Sequence, residues 1–108
     1  MVGALPATLD ALADPTRLAI VTRLREGPQS VAVLARDLPV SRPAVSIHLR
    51  VLADARLVTR HRVGARNFYV LQPQGIAELR AWLDGLWGDA LTAFAAHVER
   101  IEAGEHEQ

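Results

Sequence analysis

Seven arginines fall between positions 36 and 66: Arg36, Arg42, Arg50, Arg56, Arg60, Arg62 and Arg66. Only Asp37 and Asp54 oppose them in that stretch. A guanidinium is planar, permanently charged and carries its donors in a fixed fork, so it suits phosphate oxygens and guanine edges. Residues 67–108, by contrast, hold Arg80 and Arg100 against seven acids. The formal net charge of zero therefore hides a basic centre and an acidic end. The local field decides what such a chain attracts. A basic centre draws in phosphate, and the acidic end keeps that attraction from being general; the competing reading is a plain solvated surface. Catalytic chemistry is poorly provided for. His48, His61, His97 and His106 lie apart, there is no glycine-rich phosphate loop, and no serine, histidine and carboxylate converge by spacing. There are no cysteines, which excludes a disulfide framework, a thiolate metal site and a thiol nucleophile together.

These residues must be positioned by a small body. The chain has 108 residues, which predicts a single domain over 1–108. With 50% apolar and 22% charged residues it is built to fold. No apolar run approaches the roughly 20 residues of a membrane span. No basic segment followed by an apolar stretch marks a leader, so the expected compartment is the cytoplasm and no membrane partner is expected. A domain of this size buries about 65% of its unfolded surface, which favours support from a second subunit.

The elements follow from caps and periodicity. Thr8–Ala13 reads as a short helix. Asp14-Pro15 starts a second, with Leu18, Val21 and Leu24 at helical spacing and Gly27-Pro28 ending it, so N-terminal helices occupy 8–24. Ser30 caps a third, turned inward through Val31, Leu34, Ala35 and Leu38. Ser41 caps a fourth, with Pro43 in its first turn and Val45, Leu49 and Leu52 as its core stripe. The third and fourth helices read as a helix-turn-helix over 30–52, with Leu38-Pro39-Val40 where the turn's usual glycine would stand. Past Ala55 the period changes to alternation. Leu57–Val63 and Asn67–Leu71 predict a hairpin turning at Gly64-Ala65, with Arg60 and Arg62 on one strand face and Arg66 at the tip. A basic hairpin over 57–71 directly after a helix-turn-helix is a wing.

Pro73 and Gly75 open a long helix over 73–102. Ile76, Leu79, Leu83, Leu86, Ala90, Phe94, His97 or Val98, and Ile101 recur at three and four residues, and Trp82 and Trp87 add apolar area. Continuous over 75–102, the helix would be about 40 Å long, more than so small a domain can cover. The uncovered stripe needs another surface, and a second copy is the economical one. Gly85 and Gly88 fall opposite the stripe and predict either a bend or close approach by another helix. The fold class is mainly α with a small β-hairpin wing, a winged helix-turn-helix whose last helix is expected to meet a second copy.

This order of elements resembles the ArsR/SmtB family of bacterial repressors. The likeness is carried by LADPTRLAIVTRL (12–24), SRPAVSIHLRVL (41–52) and ARLVTRHRVGARNFYVL (55–71), and extends over about residues 9–102. It implies a cytoplasmic homodimer joined through its first and last helices, with the helix before the wing entering the major groove. The implied joining residues are Leu9, Leu12, Leu79, Trp82, Leu83, Leu86, Trp87, Leu91, Phe94 and Val98. Metal-sensing members use thiolates at positions that match Ser30 and Ala32, and a zinc set at positions that match Asp84, Leu86, His97 and Arg100. Serine and alanine offer nothing to a soft metal, and leucine and arginine leave the zinc set half empty. Asp84 then reads as a surface charge and His97 as a packed or flanking ring. His106, in the tail, would chelate only opportunistically. No metal or cofactor is expected. The resemblance leaves a small-molecule effector of unassigned chemistry as a further partner.

Double-stranded DNA is the expected partner. With Val45, Leu49 and Leu52 inward, the opposite face of that helix carries Pro43, Ser46, Ile47 and Arg50, with Ser41 and Arg42 at its start. Arg42, Ser46 and Ile47 are assigned to bases. Ile47 would meet a thymine methyl, or else be buried by a roll of the helix. Ser41, Arg50, Arg60, Arg62 and Arg66 are assigned to the backbone, with Arg62 and Arg66 able to reach the minor groove. His48 reads as a structural histidine hydrogen-bonded near the wing. The resulting expectation is a sequence-specific regulator, a repressor on an inverted repeat. Alternatives are a winged-helix module that grips an acidic protein, or a repressor with a non-standard switch through His97, Glu99 or His106. An enzyme is not expected.

Overall fold

Side-chain oxygens at Asp14, Ser30 and Ser41 each start a helix. The computed structural model describes residues 6–104. Along it run α1 (Ala7–Leu12), α2 (Pro15–Leu24), α3 (Val31–Asp37), α4 (Arg42–Asp54), β1 (Val58–Val63), β2 (Arg66–Leu71) and α5 (Pro73–Glu102). Asp14 accepts from the Arg17 amide at 3.0 Å, Ser30 from Val33 at 3.2 Å and Ser41 from Ala44 at 3.2 Å. Each supplies a partner to an amide that the first turn would leave orphaned.

The core is made by α1 to α4 and the root of the hairpin. Ile20, Leu24, Leu34, Val45, Leu49, Leu52, Leu57 and Val58 are buried, with Val31, Ala35 and Leu38 packed at its edge. Leu18 does not join them; it is 50% exposed. The inward row of α2 is the i, i+4 pair Ile20 and Leu24, and a residue two positions before Ile20 points about 200° away from it.

α4 ends in a Schellman motif. The Leu57 amide donates to the Leu52 carbonyl at 3.0 Å and the Arg56 amide to Ala53 at 2.9 Å. Arg56 takes the left-handed position (φ 60) where glycine is usual. Leu52 and Leu57, both buried, make the apolar contact that accompanies this cap. The Arg56 carbonyl then accepts from the Gly75 amide at 2.8 Å, and its guanidinium meets Glu78 at 2.7 Å. A Cβ on Gly75 would lie 2.3 Å from that carbonyl oxygen, so the approach of α5 to the α4 cap requires glycine.

β1 and β2 pair antiparallel, from Val58 opposite Leu71 to Val63 opposite Arg66. Gly64 (φ 62) takes the first central position of the two-residue turn, as a type II′ hairpin requires. Gln29 adds a one-residue bridge to Tyr69 through two backbone bonds of 2.8 and 3.1 Å. The α2–α3 loop thus clamps the outer edge of the wing to the body.

α5 runs for 30 residues without interruption through Gly85 and Gly88. A Cβ at either glycine meets nothing within 4 Å, so none of the described residues of the subunit closes on them. Its length is about 45 Å. α1 packs against it, but from Leu83 onward none of its described residues is buried. The radius of gyration is 20.0 Å, against about 13 Å for a compact chain of this length. Of the joining residues implied by the resemblance, Leu83, Leu86, Trp87, Leu91 and Phe94 are 48–66% exposed. Leu9, Leu79, Trp82 and Val98 are half-buried, and Leu12 is turned partly into its own core.

Candidate nucleic-acid interface

The roll of α4 is set by three buried side chains. Val45, Leu49 and Leu52 are 0–1% exposed, so the opposite face must look outward. Ser41, Arg42, Pro43, Ser46, Ile47 and Arg50 are all exposed there. Ile47 is 64% exposed, which overturns the alternative in which a roll of the helix buries it. An isoleucine so exposed on a helix packed so firmly is available to an apolar group outside the chain.

The wing stands beside this face. Arg60 and Arg62 share one side of the hairpin with Tyr69 and Asn67, their cross-strand partners. Ser46 and Arg50 of α4 line one cleft with Arg60, Tyr69 and Gln72. Arg42 lines a second with Arg66, Asn67 and the start of α3 at Ser30–Val33. Two clefts, each with one arginine from α4 and one from the wing, flank the outward face. The Arg62 Nε donates to the Gly64 carbonyl at 3.0 Å, folding this side chain back over the hairpin turn.

Charge pairing sorts the seven arginines. Arg36 meets Asp37 at 3.6 Å and Arg56 meets Glu78 at 2.7 Å. Arg42, Arg50, Arg60, Arg62 and Arg66 have no carboxylate within 4.0 Å among the described residues. The unpaired five are those on α4 and the wing. Exposed cations without acidic neighbours keep their field for an outside polyanion, where counterion release gives the binding energy.

His48 lies elsewhere than expected. Its Nδ1 is 3.5 Å from Arg17 Nη1 and 3.9 Å from Asp14 Oδ2, at the start of α2 and not at the wing. The reason is its place on α4: the flank beside the Val45–Leu49 row packs on α2. The Arg17 amide, aided by the Arg17 charge and His48, holds the Asp14 carboxyl below the ordinary carboxylate range against a smaller opposing effect of desolvation. The depressed value means that Asp14 stabilises the fold above its ordinary pKa and loses this contribution as pH falls through the lowered one.

Two of the positions that match the family's zinc set carry side chains that cannot ligate. Leu86 and Arg100 supply no ligand, and Arg100 Nη2 sits 3.5 Å from His97 Nδ1. Among the described residues no three His, Asp or Glu side chains converge within the subunit. His106 lies outside the described residues. No described helix is long and apolar enough to cross a membrane.

Sequence reasoning missed three contributors. Tyr69 and Asn67 line the clefts, and a sequence reading gives them only strand propensity. Gln29 fixes the wing through its backbone alone, which leaves no side-chain signal.

The pattern of the family described as "Helix-turn-helix domain" matches residues 12–61, which hold α2 to α4 and most of β1. The HTH-type transcriptional regulator Rv2034 of Mycobacterium tuberculosis (strain ATCC 25618 / H37Rv) is 57% identical over 89 residues, covering 82% of this chain and 83% of that protein. The crystal structure of a possible transcriptional regulator for arsenical resistance is 45% identical, with a TM-score of 0.70 over 87% of this chain and 97% of that one. An ArsR-like transcriptional regulator from Rhodococcus sp. RHA1 reaches a TM-score of 0.74 at 32% identity, over 88% and 89% of the two chains. A helix-turn-helix with an unpaired arginine set around its outward face, likeness over most of both chains, and the same winged architecture lead to one assignment: the chain belongs to the ArsR/SmtB family of helix-turn-helix transcriptional regulators.

Proposed function

We propose that two copies of this chain, joined through α1 and the apolar stripe of α5, form a repressor that occupies an inverted repeat and blocks a promoter. The observation that carries the reading is the sorting of the seven arginines between 36 and 66: Arg36 and Arg56 have acid partners, while the five on α4 and the outer wing have none among the described residues. α4 enters the major groove by its first two turns. Arg42 offers its fork to guanine O6 and N7, Ser46 serves a donor or acceptor edge, and Ile47 covers a thymine methyl. Ser41 and Pro43 lie where the helix start meets the backbone. Arg50, Arg60, Arg62 and Arg66 neutralise phosphates, and Arg66 is placed to follow the backbone toward the minor groove. In a symmetric dimer the two α4 helices would stand about 34 Å apart, one turn of duplex between half-site centres. The protein acts in the cytoplasm, without metal or cofactor, and a small-molecule effector would act on the dimer.

The test is a duplex selected by the full chain from a random-sequence pool, followed by anisotropy titrations at several salt concentrations. Arg66→Ala and Arg60→Ala are each expected to weaken selected and scrambled duplexes alike and to flatten the log–log salt slope by about 0.9. Ile47→Ala is expected to weaken only the selected duplex, by about 1–3 kcal/mol, with the loss confined to one base pair per half-site. Arg66→Ala with an unaltered slope removes Arg66 from the contacts. A wild-type chain that enriches no sequence removes the regulator reading and leaves the protein-binding module.

A further inference from the structure

The DNA-facing helix has to be held at one angle to the rest of the subunit; its buried row sets the roll, and non-directional apolar contact leaves small slides and tilts to be resisted by directional bonds. A single side chain supplies a polar tether. Arg17, at the start of α2, sends its Nε to the Ala11 carbonyl at 2.6 Å. That carbonyl belongs to the last turn of α1, where helix geometry leaves it unpaired and slightly negative, so a guanidinium is a fitting partner. The other end of the same guanidinium reaches His48 Nδ1 on α4 at 3.5 Å. Arg17 is itself anchored: its amide is donated to the Asp14 carboxylate, whose Oδ2 lies 3.9 Å from the same His48 nitrogen. One planar group thus joins α1, α2 and α4. α1 in turn packs against α5.

We propose that Arg17 is a positioning residue that fixes the angle of α4 through His48, so that the placement of α1 against α5 is felt at the DNA-facing helix. This inference rests on the DNA-binding reading above. Neither residue is on the outward face of α4, and the His48 side chain is 21% exposed, so neither touches a duplex in this arrangement. Whenever His48 Nδ1 carries no proton, it can accept from the guanidinium. An alanine at 48 leaves the guanidinium held only at α1, and α4 is free to shift by the small amounts that base contacts do not tolerate. Contacts to phosphate, made by long flexible arginines, survive such a shift. The inference therefore separates specific from general binding.

The test uses the full chain with the duplex it selects from a random pool and a scrambled duplex of the same length. His48→Ala is expected to weaken the selected duplex about tenfold, the scale of a lost hydrogen bond to a charged group, and to leave the scrambled one within about twofold. His48→Gln, whose amide oxygen can accept from Arg17, is expected to restore binding to within about threefold of the wild type. Arg17→Ala combined with His48→Ala is expected to be no weaker than Arg17→Ala alone. Three results overturn the proposal: Gln no better than Ala at 48, losses that multiply in the double variant, or parallel weakening of both duplexes. Should Arg17→Ala fail to fold, the Ala-against-Gln comparison at 48 decides alone. A wild-type chain that selects no duplex removes the DNA-binding reading, and this inference with it.

Discussion

Replacing Leu86 and Phe94 together by glutamate is expected to yield a monomer whose core stays folded. It is also expected to lower affinity for a two-half-site duplex by about 10²–10⁴-fold. Both side chains lie on α5 beyond its support from the subunit, 55% and 65% exposed. Their removal therefore costs the subunit's own core nothing, and exposed substitutions of this kind move stability by about 0.5 kcal/mol or less. Glutamate is a good helix former, so α5 keeps its local preference. In a dimer joined through this stripe, the variant would instead bury four carboxylates at the seam, at a cost no apolar contact there offsets. Light scattering reads the mass, circular dichroism the helix content, and anisotropy the affinity. A half-site duplex serves as the control: its binding should change little, because each α4 and wing remain intact. A double variant that stays dimeric refutes the joining surface drawn here.

Gly75→Ala is expected to destabilise the fold by about 3 kcal/mol, from overpacking together with a strained hydrogen bond. The added methyl would meet the Arg56 carbonyl oxygen at 2.3 Å, its carbon at 2.6 Å and the Ala55 oxygen at 2.9 Å. All three are backbone atoms of the α4 cap, so no side chain can swing aside. Relief requires α5 to back away, which breaks the 2.8 Å bond from Gly75 to Arg56. At roughly 4–8 °C per kcal/mol the melting midpoint should fall well outside error. The companion variant Arg56→Gly should be close to neutral. It removes the left-handed strain of a residue with a Cβ, worth about 1–2 kcal/mol, and against this loses an exposed ion pair to Glu78 worth about 0–1 kcal/mol and adds glycine's extra unfolded-state freedom, about 0.5–1 kcal/mol. A Gly75→Ala midpoint within 2 °C of the wild type, on the order of the error of such a measurement, would show that the helices do not meet this closely.

Much of the fold was legible where the signal is local. A serine or aspartate three residues ahead of an amide it can cap is visible in the chain, and Asp14, Ser30 and Ser41 all do this. The Val45–Leu49–Leu52 row declares the inner face of α4 and therefore the outer one. A glycine opening a two-residue connection between alternating segments declares the hairpin. What escaped depends on several elements at once. His48 was placed near the wing because the sequence gives its angle on α4 but not which helix lies there. Helical spacing groups Leu18 with Val21 and Leu24, but two rows on α2 are almost equally apolar, and packing chooses Ile20 and Leu24. The cap at Arg56 carries no glycine, so its left-handed backbone had no sequence mark. The five cations of the candidate site were named from the sequence. Their separation from Arg36 and Arg56 was not, because it depends on where Asp37 and Glu78 fall in space.

The outer half of α5 has a thermodynamic consequence. A helical segment of some 20 residues interrupted by two glycines is marginal in water on its own. If the second copy proposed above is what orders it, its order obeys mass action. Heating a dilute sample should melt this half ahead of the core, and the midpoint should climb with protein concentration. In a cell the same relation would make a scarce chain a frayed chain, open to proteolysis, and an abundant one a finished one.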